Sequence, residues 1–188
     1  MQTPQKFGLV ILEKKSTDLN VFKDLVHLMK HRSGRRETFC FVDDSTGLIP
    51  HLSLFENVQI SSNIEFWREV TGLIPDEYHS WVNLIQKPHL TASEAQGWER
   101  VLVGLFKGLL TPTDTFLVHI QEGDLSMFMM KSFKELLLKV AEKKNVYLAT
   151  SVPGFWLDSA SCLVQRTGPK FATQDLDPVL LRTNWKIA

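Results

Sequence analysis

The chain alternates short apolar runs with stretches whose apolar residues recur at helical spacing. Phe7 to Leu12 is apolar and bounded by charge, the pattern of a strand buried on both faces. Ser16 or Thr17 can cap a following helix that carries Val21, Phe22, Leu25, Val26, Leu28 and Met29, and Ser33-Gly34 ends it. Thr38 to Val42 reads as a second strand, rich in aromatic and β-branched residues. From Gly47 to about Trp98 the pattern turns helical, punctuated by Pro50, Pro75 and Pro88. Leu54, Phe55 and Val58 form one face, then Ile64, Trp67 and Val70, and Pro75 suits the first turn of another helix.

The second half returns to alternation. A long helix is expected over Ser93 to Leu110, with Trp98, Val101, Leu102, Leu105 and Leu109 on its apolar side, broken by Thr111-Pro112. Thr115 to Ile120 is then a buried strand, and Ser126 to Lys144 a helix whose Met and Leu residues face the sheet. Val146 to Thr150 and Cys162 to Gln165 read as strands, and Leu176 to Leu181 as a short closing helix. This order predicts an α/β fold: a mostly parallel sheet flanked by helices, with an inserted helical subdomain.

At 188 residues the chain fits one domain. Lysine plus arginine total 21 and aspartate plus glutamate also 21, so no basic footprint points to nucleic acid. Cys40 and Cys162 both fall in apolar strands, as expected of buried thiols in a reducing compartment. No stretch approaches the roughly 18 uninterrupted apolar residues of a membrane span. Met1 to Lys6 are polar and lack the apolar region of a signal peptide, which makes the expected location cytoplasmic. The histidines show no convincing metal spacing; His27 and His31, four apart on a helix, read as a basic helix end.

Several landmarks then line up in one order. Lys15-Ser16-Thr17 opens a helix after an apolar run. Phe41-Val42-Asp43-Asp44 leads to Leu48-Ile49-Pro50-His51-Leu52-Ser53-Leu54-Phe55-Glu56-Asn57-Val58. Leu90-Thr91-Ala92-Ser93-Glu94 follows, and the strand Phe116 to Ile120 runs into Gln121-Glu122. In these landmarks the chain resembles the ATP-binding cassette (ABC) transporter ATPases, of the compact importer, lipid-transport or lipoprotein-release type. The resemblance covers most of the chain from Phe7 onward and is most specific between Phe41 and Val58. It implies one P-loop-like domain over residues 1–188. Residues 1–46 would form the first part of the core, 47–98 the helical subdomain and 99–188 the second part of the core. Only Met1 to Leu12 precede the phosphate-loop position, so the resemblance also implies a reduced N-terminal β lobe, without the part that holds adenine.

The working residues depart from the family pattern. A phosphate loop needs glycines so that backbone amides can approach the phosphates. Here Leu9 and Lys14 stand at the two glycine positions, and Glu13 adds negative charge. Lys15 is left to meet a phosphate and Ser16 a magnesium ion; the plainer reading of the same residues is a lysine beside a helix cap. Asp44 stands at the family's glutamine and reads as a solvated loop carboxylate. Ala92 and Ser93 stand at the glycines of the signature motif and are small enough for ligand contact, with Thr91 and Ser93 readable as helix caps. Arg100 lies where the following helix usually carries an arginine. Gln121 replaces the magnesium-binding aspartate and is a poor ligand for a hard cation. Glu122 remains as a candidate general base, and Ser151 replaces the switch histidine.

These substitutions favour a catalytically inactive ABC-ATPase-like subunit, a scaffold or regulator of a membrane transporter-like complex. Its expected partners are an integral-membrane permease, a competent ATPase subunit, or both, as a homo- or heterodimer at the inner face of the membrane. No metal and no cofactor are expected on this reading. The alternative is a divergent P-loop ATPase that binds magnesium-ATP weakly through Lys15, Ser16, Thr17, Asp44, Ala92 and Ser93, with Glu122 as base. A third reading is an α/β interaction module whose likeness to the family is coincidental.

Overall fold

The structure, a computed structural model, describes residues 7–11, 23, 26–27, 37–44, 47–60, 90–120, 125–167 and 170–176. Chain order runs β1 (Phe7–Ile11), β2 (Phe39–Val42), α1 (Leu54–Gln59), α2 (Gly97–Leu109), β3 (Thr115–His119), α3 (Met127–Ala141) and β4 (Asn145–Thr150). Two single 3-10 turns, Pro153–Phe155 and Leu157–Ser159, lead to β5 (Cys162–Thr167) and β6 (Lys170–Asp175).

Six strands form one sheet in the order β2-β3-β4-β1-β5-β6. The first five are parallel, as the alternation of strand and helix requires, and only the β5–β6 pair is antiparallel. The sequence reading ended the last strand at Gln165 and contained no β6. Thr167 pairs with Lys170, leaving two residues between them, a connection that suffices for an antiparallel pair and is far too short for a parallel crossover.

Both faces of the sheet are apolar, as expected of parallel strands covered on two sides. Leu9, Phe116, Val118, Val146 and Leu148 point to one face, into a core shared with α1, α2 and α3. Their neighbours Val10, Leu117, Tyr147 and Ala149 point to the other, where Val26 packs with Phe39 and Phe41. Lys23, Val26 and His27 are helical; the rest of the first predicted helix, including His31, lies outside the described residues.

α2 lies close on the sheet because it presents glycine there. A Cβ on Gly108 would sit 2.4 Å from the Phe116 ring and 2.7 Å from Cys40 Sγ. Cys40 is half-buried rather than fully enclosed, and burial pushes its thiol up to about 11, with Lys107 opposing; Cys162 is buried, and neither cysteine is in a disulfide.

α2 starts at Gly97 rather than at Ser93. The Gln96 N–H donates to the Glu99 carboxylate at 2.7 Å, while Thr91 to Ala95 form a separate turn. α3 starts where expected: the Ser126 hydroxyl accepts from Met129 N–H at 3.3 Å. It ends at Ala141, and its core face is Met130, Phe133, Leu136, Leu137 and Val140. Met127 and Phe128 do not face the sheet; they are 70% and 79% exposed, and helical spacing puts Phe128 on the side of α3 away from Met130, Phe133 and Leu137. Beyond Leu176 the predicted closing helix lies outside the described residues, as do 61–89 of the helical segment. No helix among the described residues is long and apolar enough to cross a membrane.

Candidate functional site

The landmarks at 47–58 and 90–94 lie against each other. Ser53 and Thr91 form an antiparallel bridge. Leu54 N–H donates to Leu90 O at 3.0 Å, Ala92 N–H to Leu52 O at 2.9 Å and Ser93 N–H to Pro50 O at 3.0 Å. Each landmark is also closed by its own serine or threonine with a glutamate three residues on, as in a capping box. The Ser53 hydroxyl donates to the Glu56 carboxylate at 2.7 Å and accepts from Glu56 N–H at 3.1 Å. Thr91 donates to Glu94 through its hydroxyl at 2.8 Å and its N–H at 3.1 Å.

Asn57 holds the first landmark from within. Fully buried, it accepts from Ile49 N–H at 2.7 Å and donates to the carbonyls of Ile49, Leu52 and Ser53 at 3.1, 3.2 and 3.0 Å. Helical periodicity alone selects Leu54, Phe55 and Val58 and passes over this residue; the Ser53-x-x-Glu56 spacing was the available signal for the cap.

Of the candidate pair Ala92 and Ser93, only Ser93 is exposed. Ala92 belongs to the core, 3% exposed, and the Ser93 hydroxyl lies 3.0 Å from that of Thr91. Asp44, two residues beyond β2, is partly exposed, and Arg100 approaches it at 4.0 Å. The same guanidinium donates to Ala95 O at 2.9 Å, so it joins β2's end to the turn that carries Ser93. One helix face lower, Lys107 Nζ donates to Gly47 O at 2.6 Å, and burial lowers the lysine's pKa from its ordinary value. Gly47 has φ +68°, a left-handed conformation that suits glycine.

At the phosphate-loop position the strand does not stop. β1 pairs with β4 from Phe7 to Ile11 and with β5 from Gly8 to Ile11. Leu9, at the first motif glycine, is therefore a central strand residue with no exposed surface. Lys15, Ser16, Thr17, Gln121 and Glu122 lie outside the described residues. β3 is adjacent to β4, and β4 to β1, so the C-terminal ends of these strands share one edge of the sheet.

Ser151 follows β4 on that edge and is exposed. Val152 N–H donates to the Thr150 hydroxyl at 3.0 Å. The segment beyond is anchored from α3: Lys134 donates to Phe155 O at 2.7 Å, pairs with Asp158 and lies 4.8 Å from the Phe155 ring centre. Among the described residues no group of three His, Cys, Asp or Glu side chains comes together.

No protein-family model matches the chain, and no curated protein matches it in sequence. The sheet order and the shared strand-end edge are consistent with an ATP-binding cassette fold, and solved structures agree. The chain is similar to the ATP-binding cassette MJ0796 in a dimeric post-hydrolysis state bound to ADP and Pi. The identity is 18%, over 93% of this chain and 87% of that one, with a TM-score of 0.64. A second dimeric structure of MJ0796, a bacterial ABC transporter cassette, gives 17% identity, the same coverage and a TM-score of 0.62.

Proposed function

We propose that this chain is a catalytically inactive, cassette-like subunit that acts as scaffold or regulator in a membrane transporter-like complex. Its partners on this reading are a permease, a competent ATPase subunit, or both, at the inner face of the membrane. A homo- or heterodimer is in keeping with the dimeric MJ0796 structures.

The observation that carries the reading is the pairing of β1 through Ile11. Backbone amides that cradle phosphates must be left free by the protein, whereas Gly8 to Ile11 lie between two strands. Only Leu12 to Lys14 then separate the strand from Lys15. These residues do not fit a polyphosphate cradle. Gln121 and Ser151, at the positions of a metal ligand and a switch histidine in the family pattern, point the same way.

A second reading, a divergent P-loop ATPase with Lys15 and Ser16 at the phosphates and Glu122 as base, draws on one observation. The ends of β1, β3 and β4 share the edge at which open α/β sheets bind ligands. Titration with magnesium-ATP, followed by thermal shift and phosphate release, separates the two. The scaffold reading expects neither a saturable shift nor turnover. Tight, saturable binding with turnover abolished by Glu122→Gln overturns it.

A further inference from the structure

We infer that α2 is a two-point strap, with Arg100 as its positioning residue, that ties the Ser93-bearing turn to the end of β2 through the protein's own charges. Arg100 and Lys107 are seven residues apart, so they share one face of α2. Arg100 faces the Asp44 carboxylate and Lys107 binds the Gly47 carbonyl, one cation at each end of the link that leaves β2.

Arg100 does more than neutralise Asp44. Its Nη1 donates to Ala95 O, which orients the guanidinium and brings a third segment into the same contact. The turn from Thr91 to Ala95 is in turn hydrogen-bonded to Pro50 and Leu52. A chain of direct contacts thus runs from β2 through Asp44, Arg100 and Ala95 to the docked landmarks. Removing one end of the Asp44–Arg100 pair loosens the link from β2's end to the turn, which its bonds to Pro50 and Leu52 still hold. Both side chains are about a quarter exposed, at 27% and 28%, so salt weakens the pair but does not abolish it.

The test is hydrogen exchange on the full chain, with Asp44→Asn and Arg100→Gln made singly and together. Each single change is expected to speed exchange at the Ala92, Ser93 and Ala95 amides by about 1.5-fold to fivefold, as expected for loss of a partly exposed pair. β4 amides should be unchanged and the double variant no faster than the faster single one. Arg100→Lys keeps the charge but loses the fork, so it should fall between Arg100→Gln and the parent. No change at the turn, additive effects, or an equal rise across β4 overturns the strap. The readout requires neither nucleotide nor partner, so it can fail independently of the proposed function.

Discussion

Two regions that the sequence marks as cassette landmarks behave in opposite ways. The pair formed by 47–60 and 90–96 satisfies its polar groups internally, through a bridge, two glutamate-closed turns and the Asn57 clamp. The end of β1 also satisfies its backbone internally, but by becoming strand: Gly8 to Ile11 pair on both sides. A landmark whose hydrogen bonds close within the protein can persist without a ligand. One whose amides are meant for a ligand leaves orphan donors when the ligand chemistry goes, and those cost free energy until something pairs them. At the end of β1 the neighbouring strands β4 and β5 pair those amides.

The largest expected effect tests whether Leu9 is truly a core strand position. Leu9→Ala should destabilise the fold by about 3 kcal/mol, because it removes a fully buried side chain between tightly packed neighbours. Urea denaturation reads this directly. A loss under about 1 kcal/mol would mean that the position behaves as loop, and the contrast with the docked landmarks would fall.

Next in size is the clamp. Asn57→Ala deletes one acceptor and three donor contacts inside the first landmark and should cost about 2 kcal/mol. Proteolysis should then cut within 49–53 before the sheet opens. Equal protection of that segment in the variant would show that the bridge to Leu90 and Ala92 suffices without the clamp.

The smallest effect comes from the cap. Ser53→Ala should cost about 1 kcal/mol in thermal or urea unfolding, the usual price of losing an N-cap hydroxyl. The hydrogen bond from the Ser53 hydroxyl, followed by that from its N–H, lowers the pKa of Glu56. Such a group stabilises the fold above its unfolded pKa, and the contribution is lost as pH falls through the lower folded value. The variant should therefore show a shallower loss of melting temperature on the acid side. An unchanged acid limb would assign that decline to other carboxylates, Asp114 first, whose pKa the N–H and hydroxyl of Thr38 also lower.

Periodicity was a sound guide where one apolar pattern had one solution. The buried runs at Phe7, Phe39, Thr115 and Asn145 are strands, and the stripe of Val101, Leu102 and Leu105 is the buried face of α2. It failed where short-range hydrogen bonds compete with helix. The helix expected from Ser93 begins at Gly97, because Thr91 and Glu94 close a turn of their own. It also could not anticipate β6, whose existence depends on pairing with β5 rather than on a strong run of its own. Met127 looked like core by composition and is exposed, at the first position of α3, before the buried stripe of Met130, Phe133 and Leu137 begins. At the site, Asp44 and Arg100 lie 56 positions apart, a separation at which no local pattern announces contact.

What the sequence determined by itself is the order of most elements and the apolar faces that must be covered. Those properties reside in residue types and short spacings, so they are readable along one dimension. The tertiary structure alone decided that β1 is paired by both β4 and β5, that the landmarks at 47–58 and 90–94 hydrogen-bond to each other, and that α2 turns two cations toward Asp44 and Gly47. Each of these joins groups distant in the chain, and only packing the helices on the sheet brings them within reach of one another.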